Sequence, residues 1–382
     1  MPRSSPDLLT HFLHAQETLY GPITTLPSSA STWTPPPHSG GHQGRYLWTD
    51  AIGVLNFLTL HHIHPSPPSP THYLTLATRL IHTVHNTLGR TRTNPPTYLP
   101  NASPAHPLSG GLRIGKPSST GPDSDGQYHH YLTLWMFALN RTSVASGEGK
   151  WNDLAVELGK AIHPRFFVGQ KRDRMVWKMD VGLEKVLVGS EGNLDPLDGF
   201  VVFRLVQAYK QSTIPQDVGD GKGVLEDEIE DYARILKRKG RQRVAADMLD
   251  LGMTLWTAHW FTGREEWADE LVGRGGEVVY DLFEDDRCLD RDMRFRLAFR
   301  EFGAAMGIRC VAEQEAEKDR AVDLKVYADR IVECWKPHMN DAEEDELTPI
   351  TQVMYASALI PGAFQRGFFG PEPVVPERTL YD

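Results

Sequence analysis

Helical periodicity dominates the chain, and the helices it predicts alternate in character. Residues 6–18 and 73–88 carry apolar side chains at helical spacing, with Leu74, Ala77, Leu80, Ile81, Val84 and Leu88 forming one stripe. Residues 150–163, 225–238, 265–282 and 321–336 have the same one-sided pattern, with water expected on the other side. A second set lacks a polar face. It comprises 48–62, 125–146, 196–212, 243–262, 291–308 and 348–365. Tyr128 to Leu139 is the extreme case, a long apolar run with almost no charge, which predicts a helix buried on most sides. Asp195-Pro196 is a helix-start signal, and Gly263 a stop. Convincing strands are not expected.

Twelve helices of two alternating kinds fit six helical hairpins, one helix of each covered all round and the other facing water on one side. The expected fold class is all-α, an (α/α)6 toroid formed as a single domain over residues 1–382. Loop lengths support this. The long connections, about 19–47, 90–124 and 164–195, all lead into helices of the buried kind. They would share one face with the N-termini of those helices, which favour anions and hydrogen-bond acceptors. Residues 213–224 are the exception, a long loop on the other face. Long loops on a rigid scaffold are where binding and catalytic groups concentrate.

Composition narrows the functional classes. Hydrophobic residues make up 40% and charged residues 24%, which is ordinary for a globular protein. The net charge of −10 leaves one dense basic run, Lys237, Arg238, Lys239, Arg241 and Arg243, read as a helix end, so nucleic acid is not an expected partner. Cys288, Cys310 and Cys334 match neither a zinc spacing nor a disulfide framework, and a reducing compartment fits them. The first residues hold no sustained apolar segment, and no run reaches the ~20 apolar residues of a membrane span. The expected location is cytoplasmic, with no membrane partner. The sequons at Asn101 and Asn140 carry no weight there.

Four stretches resemble the six-hairpin glycosidases. They are GGLRIGK from Gly110, DGQYHHYLTLWMFALNR from Asp125, RMVWKMD from Arg174 and NLDPLDGFVVF from Asn193. The likeness extends from about residue 41 to 365 and implies an (α/α)6 toroid. It assigns no reaction. That broad group holds glycoside hydrolases, unsaturated-uronate hydrolases and sugar epimerases, and terpenoid-processing enzymes use similar barrels.

Five carboxylates fall in or beside the long loops: Asp50, Asp125, Asp180, Asp195 and Asp198. Glycoside hydrolysis needs two carboxyl groups about 5–10 Å apart. Asp125 and Asp195 also suit helix capping, Asp198 suits the helix dipole, and Asp180 suits an ion pair with Lys178 or Arg174. His129 and His130 sit in a predicted first turn, where one would face a cavity as acid or base. His61, His62 and His64 read as a surface cluster on the opposite face. Trp48 and Trp177 offer aromatic faces near the expected mouth, while Trp135 and Trp256 read as core. Gln127, Arg113, Lys116, Lys178 and Arg291 complete the polar set; the glycines of GGLRIGK do not form a phosphate loop.

The leading expectation is a saccharide- or glycoconjugate-processing enzyme, glycoside-hydrolase-like, with a saccharide as substrate and no cofactor. Asp125 and either Asp198 or Asp50 are its expected working carboxylates, with His129 as a further catalytic candidate. Trp48, Gln127, His130, Trp177, Lys178, Asp180, Asp195, Arg113 and Arg291 are its expected substrate contacts. One alternative is a Mg²⁺-dependent isoprenoid-diphosphate cyclase or lyase, although no DDxxD-type cluster is present and Glu343-Glu344-Asp345 reads as a solvated charge run. The other is a non-catalytic binding toroid.

Overall fold

A computed structural model describes residues 6–26, 29–37, 45–64, 69–121, 123–169, 172–213, 223–240, 243–314, 319–339 and 345–380. Parts of the predicted 19–47 and 213–224 loops, Arg241 of the basic run, and Glu343 and Glu344 lie outside the described residues. The chain divides into two compact units, one spanning Thr24–Gly240 with Phe369–Pro376, the other Met1–Ile23, Arg241–Phe368 and Glu377–Asp382.

The first unit is three helical hairpins: α2 (Leu47–Ile63) with α3 (His72–Leu88), α4 (His129–Ser146) with α5 (Lys150–Phe166), and α6 (Asp195–Ser212) with α7 (Glu226–Lys239). α2 packs on α4 and α4 on α6. These are the helices without a polar face. α2 is buried continuously from Leu47 to Leu60, and α6 from Asp195 to Ala208. Their partners bury one stripe only; in α3 it is Tyr73, Leu76, Ala77, Leu80, Ile81, Val84 and Leu88. Burial at about 25 cal/mol per Å² of apolar surface is what holds such hairpins together.

In the second unit α8 (Met248–His259), α10 (Ala298–Gln314) and α12 (Thr348–Leu359) pack in sequence. α9 (Glu266–Tyr280) covers α8, α11 (Asp319–Trp335) covers α10, and α1 (Pro6–Tyr20) covers α12. No helix among the described residues is long and apolar enough to cross a membrane.

Several boundaries differ from the sequence reading. α8 starts at Met248 rather than 243, because Asp247 caps it by accepting from the N–H groups of Leu249 and Asp250. α10 starts at Ala298 rather than 291; Asp292 instead caps a 3-10 turn at Met293–Phe295. α12 ends at Leu359, just ahead of Pro361. Short strands occur, four of them within 164–195, the stretch whose sequence allowed a short strand or helical turn. β1 (Gln127–Tyr128), β4 (Lys178–Met179) and β5 (Val186–Val188) form one small antiparallel sheet in the order β1-β4-β5. β2 (Phe167–Val168) and β3 (Arg174–Met175) form a second, two-stranded one. Alternation over two or three residues is too short to register as a strand pattern.

Candidate functional site

The long loops owe their shape to buried ion pairs. Asp125 is not in the first turn of α4, as the sequence suggested, but four residues ahead of it. Its Oδ2 accepts from Arg113 Nη1 at 2.6 Å and from Arg92 Nη2 at 2.7 Å. Its Oδ1 accepts from the N–H groups of Gly115 and Lys116 at 3.0 and 3.2 Å. Arg113 spends its other nitrogens on the carbonyls of Arg90 and Thr87. Gly115, at φ +102°, lies so close to the Arg45 carbonyl that a Cβ would stand 1.7 Å from its oxygen. Gln127 is fully buried and equally committed: its Oε1 accepts from Leu112 N–H, and its Nε2 donates to the carbonyls of Gly110 and Val181. Asp180 closes a turn by accepting from the N–H groups of Glu184 and Lys185. Asp50, in the first turn of α2, faces Arg45 through both oxygens at 2.9 and 2.8 Å. These groups fix backbone with their charged or amide atoms.

The β1–β4 pairing sets Tyr128 opposite Lys178, while His129 N–H donates to the Trp177 carbonyl. The first turns of α2, α4 and α6 meet here. The Trp48 ring stacks on Tyr131 with centroids 5.9 Å apart. Tyr128 is the hub of an aromatic group. His130 stacks on it at 5.7 Å, and Tyr131 and Trp177 meet it edge-on at 5.0 and 5.2 Å. Tyr128, His130, Tyr131 and Trp177 are all partly exposed.

Beside that group runs a buried polar chain. His129 is wholly buried, and its Nε2 lies 2.7 Å from the Tyr232 hydroxyl. Its Nδ1 faces Asp195 Oδ1 at 3.4 Å. The same oxygen faces Nδ1 of His130 at 3.7 Å, and the His130 side chain is 33% exposed. Adjacent helical side chains diverge by about 100°, so one histidine points inward while the other stays at the surface. Burial alone would raise the Asp195 pKa, but the His129 and His130 rings outweigh it and hold the carboxyl well below the usual range. Burial, reinforced by the carboxylates of Asp195, Glu228, Asp231 and Asp198, drives the Tyr232 hydroxyl well above its ordinary value, so it stays protonated. Gly199 permits this approach of α7 to α6, since a Cβ there would sit 2.2 Å from the Tyr232 ring. Asp198, one turn beyond Asp195, is buried.

Thus Trp48, Asp50, Asp125, Gln127, His129, His130, Trp177, Lys178, Asp180, Asp195, Asp198 and Arg113 all belong to the first compact unit, and the contacts above link most of them around the first turns of its core helices. Arg291 belongs to the second unit, where it is exposed and 3.8 Å from Asp286. Among the described residues no three His, Cys, Asp or Glu side chains gather as a metal-holding group. Sequence reasoning missed Tyr128, Tyr131, Tyr232, Arg45 and Arg92. Tyr128 and Tyr131 had a signal, since they flank the histidine pair at i and i+3. Tyr232 had none, being 103 residues from its partner.

No protein-family model matches the chain, and no curated protein does. Its structure is similar to that of a family 76 glycoside hydrolase from a bovine Bacteroides thetaiotaomicron strain, with TM-score 0.55 and 12% identity over 93% of this chain and 76% of that one. It is similar to cellobiose 2-epimerase from Spirochaeta thermophila, with TM-score 0.53 and 14% identity over 93% and 96%. It is also similar to a sugar epimerase from a ruminal bacterium, with TM-score 0.50 and 10% identity over 92% and 97%. The chain has an (α/α)6 toroid fold.

Proposed function

We propose that the chain is a saccharide-processing enzyme whose acid–base group is His130, acting in epimerisation or isomerisation. The observation that carries this is the single Asp195 oxygen facing both His129 and His130, with only His130 open to a ligand. Imidazole suits proton transfer near neutral pH. The aromatic faces of Tyr128, Tyr131 and Trp177 suit a sugar ring. In this reading a reducing sugar in open-chain form lies against those rings. His130 takes the proton from the carbon next to the carbonyl, the C–H electron pair forms an enediolate, and Asp195 steadies the imidazolium. Rotation about the bond to the next carbon turns the other face of the enediolate to the imidazolium, and return of the proton from His130 then inverts the carbon; return to the former carbonyl carbon, with a proton passing between the two oxygens, isomerises it. The folds of two sugar epimerases are in keeping with this choice.

The carboxylates weigh the same way. A glycosidase needs one carboxyl that holds its proton. The oxygens of Asp50 and Asp125 are already engaged by arginines, and Asp195 is held low. Glycoside hydrolysis stands as the second reading because Asp195 and Asp198 share one face of α6, one turn apart. The test replaces His130 with Gln and assays reducing disaccharides and simple glycosides by NMR. Turnover should fall about 10²–10⁴-fold with the unfolding midpoint unchanged. A variant that remains fully active sinks the assignment.

A further inference from the structure

A base that takes a proton beside a carbonyl needs a partner at the carbonyl oxygen, where negative charge develops. His130 supplies the base and Asp195 faces it from behind, so the oxygen still needs a donor. Tyr128 stands next to the base. Its ring lies against that of His130 with centroids 5.7 Å apart and planes 22° from parallel. Its backbone is held by the pairing of β1 with β4, and the rings of Tyr131 and Trp177 meet it edge-on at 5.0 and 5.2 Å. The phenol is thereby kept in one place relative to the imidazole.

Other tyrosine hydroxyls of this unit are spent within it. Tyr232 meets His129, and Tyr209 donates to the Ser143 carbonyl. The Tyr128 hydroxyl makes no hydrogen bond among the described residues. The residue is partly exposed, so a ligand can reach it. Burial, with the Tyr46 hydroxyl and the Asp125 carboxylate adding to it, raises the Tyr128 pKa, so the group keeps its proton at neutral pH and acts as a donor. Asp125 does not take that proton up, because its oxygens accept from Arg92, Arg113 and two backbone N–H groups. Tyr131 is the neighbouring phenol. Burial, then Tyr128 and Tyr46, drive its hydroxyl far above its ordinary value, which marks it as the deeper of the two.

We propose that the Tyr128 hydroxyl is a further catalytic group, the donor that polarises the sugar carbonyl and holds the enediolate oxygen while His130 moves the proton. This rests on the saccharide reading above and supplies its electrophile. As His130 takes the proton, the C–H pair becomes the carbon–carbon double bond and the carbonyl π pair moves onto oxygen. Tyr128 donates a hydrogen bond to that oxygen and keeps its own proton throughout. A carbonyl and its neighbouring carbon, about 3–3.5 Å from the imidazole and about 2.7–2.8 Å from the hydroxyl, bridge two groups whose rings stand 5.7 Å apart.

The test is Tyr128→Phe in the whole chain, which keeps the ring and removes only the hydroxyl. Turnover is followed as deuterium entering reducing disaccharides with glucose, mannose or galactose at the reducing end, in D₂O. Binding is followed by calorimetry with two probes: the matching alditols, which lack a carbonyl, and the matching aldonohydroxamates, which mimic the enediolate. The variant should lose about 10²–10³-fold in kcat with KM and alditol affinity within about twofold of the parent. Its hydroxamate affinity should fall at least about tenfold. The unfolding midpoint should hold, because the hydroxyl bonds nothing in the chain. Wild-type kcat in Tyr128→Phe overturns the proposal, and the saccharide reading stands if His130→Gln still abolishes exchange. A lowered midpoint, or alditol binding lost in step with turnover, also overturns it, since the hydroxyl then serves structure or ground-state binding. A loss confined to Tyr131→Phe moves the donor to the other phenol and overturns it too. A wild-type chain that incorporates no deuterium from any of these sugars brings down the saccharide reading and the donor together.

Discussion

Asp195 shows how one side chain decides the roles of its neighbours. Its carboxylate is an acceptor only, so each histidine that faces it does best with a proton on Nδ1. For neutral His129 that leaves Nε2 to accept from Tyr232, whose hydroxyl keeps its proton because of burial and surrounding negative charge. Removing the hydroxyl strands a buried acceptor, which costs about 1–3 kcal/mol. Tyr232→Phe should therefore lower stability by that amount in urea unfolding, and an unchanged midpoint would mean the contact contributes nothing. His130 has no such inner anchor, so its second nitrogen remains for substrate. The sequence placed both histidines at a helix start, with His129 as the catalytic candidate and His130 as a substrate contact, whereas the proposed acid–base role goes to His130 because His129 is wholly buried. The choice depends on α6 and α7, whose approach no local pattern encodes.

At the scale of elements, the legible features were those with a period. The covering helices show their apolar stripe, and the core helices show the lack of a polar face, so the hairpins could be counted from sequence. Loop architecture was not legible. Asp125 looked like a helix cap because it precedes an apolar run, yet its partners Arg92 and Arg113 lie 33 and 12 residues away. Asp50 read as a candidate working carboxylate beside a long loop, and Arg45, five residues before it, closes on it. These pairs explain what a substitution should do. Asp125→Asn keeps the shape and removes the charge, leaving the buried guanidinium of Arg113 without its counter-ion. Breaking a buried pair in this way costs about 3–5 kcal/mol, while the more exposed Arg92 adds little. The expected outcome is a large loss in chemical-denaturant stability, with turnover kept in whatever fraction remains folded. Lost turnover at full stability would instead make Asp125 a working carboxylate, as the sequence reading first had it.

For the whole molecule, stability should depend on acid through histidines buried as neutral rings. Burial lowers the His163 pKa to about 4 against the pull of Asp231, and lowers that of His85 to about 3. His85 accepts from Trp135 Nε1 and so needs an unprotonated nitrogen. In an unfolded chain histidine titrates near about 6.5. The folded values are depressed, so the unfolded state binds more protons between those limits. This contribution is whole above about pH 6.5 and is lost as the pH falls toward 4 and then 3. His163, wedged among Phe167, Phe203 and Tyr232, should account for a slope of about 1.4 kcal/mol per pH unit within its window. His163→Phe should flatten urea-derived stability between pH 6.5 and 4 by about that amount. Identical slopes in the two proteins would show that this ring takes up no proton on unfolding.

The central claim is that His130 moves a proton on a saccharide. It is tested most directly by incubating the whole chain with reducing disaccharides in D₂O and following the sugar by NMR. The account predicts deuterium appearing at the carbon next to the carbonyl, together with an epimer or ketose product. Both should vanish in His130→Gln while the variant still binds sugar and unfolds at the same midpoint. Cleavage of the glycosidic bond without deuterium at that carbon, continuing undiminished in His130→Gln, would contradict it and return the chemistry to the carboxylates of α6.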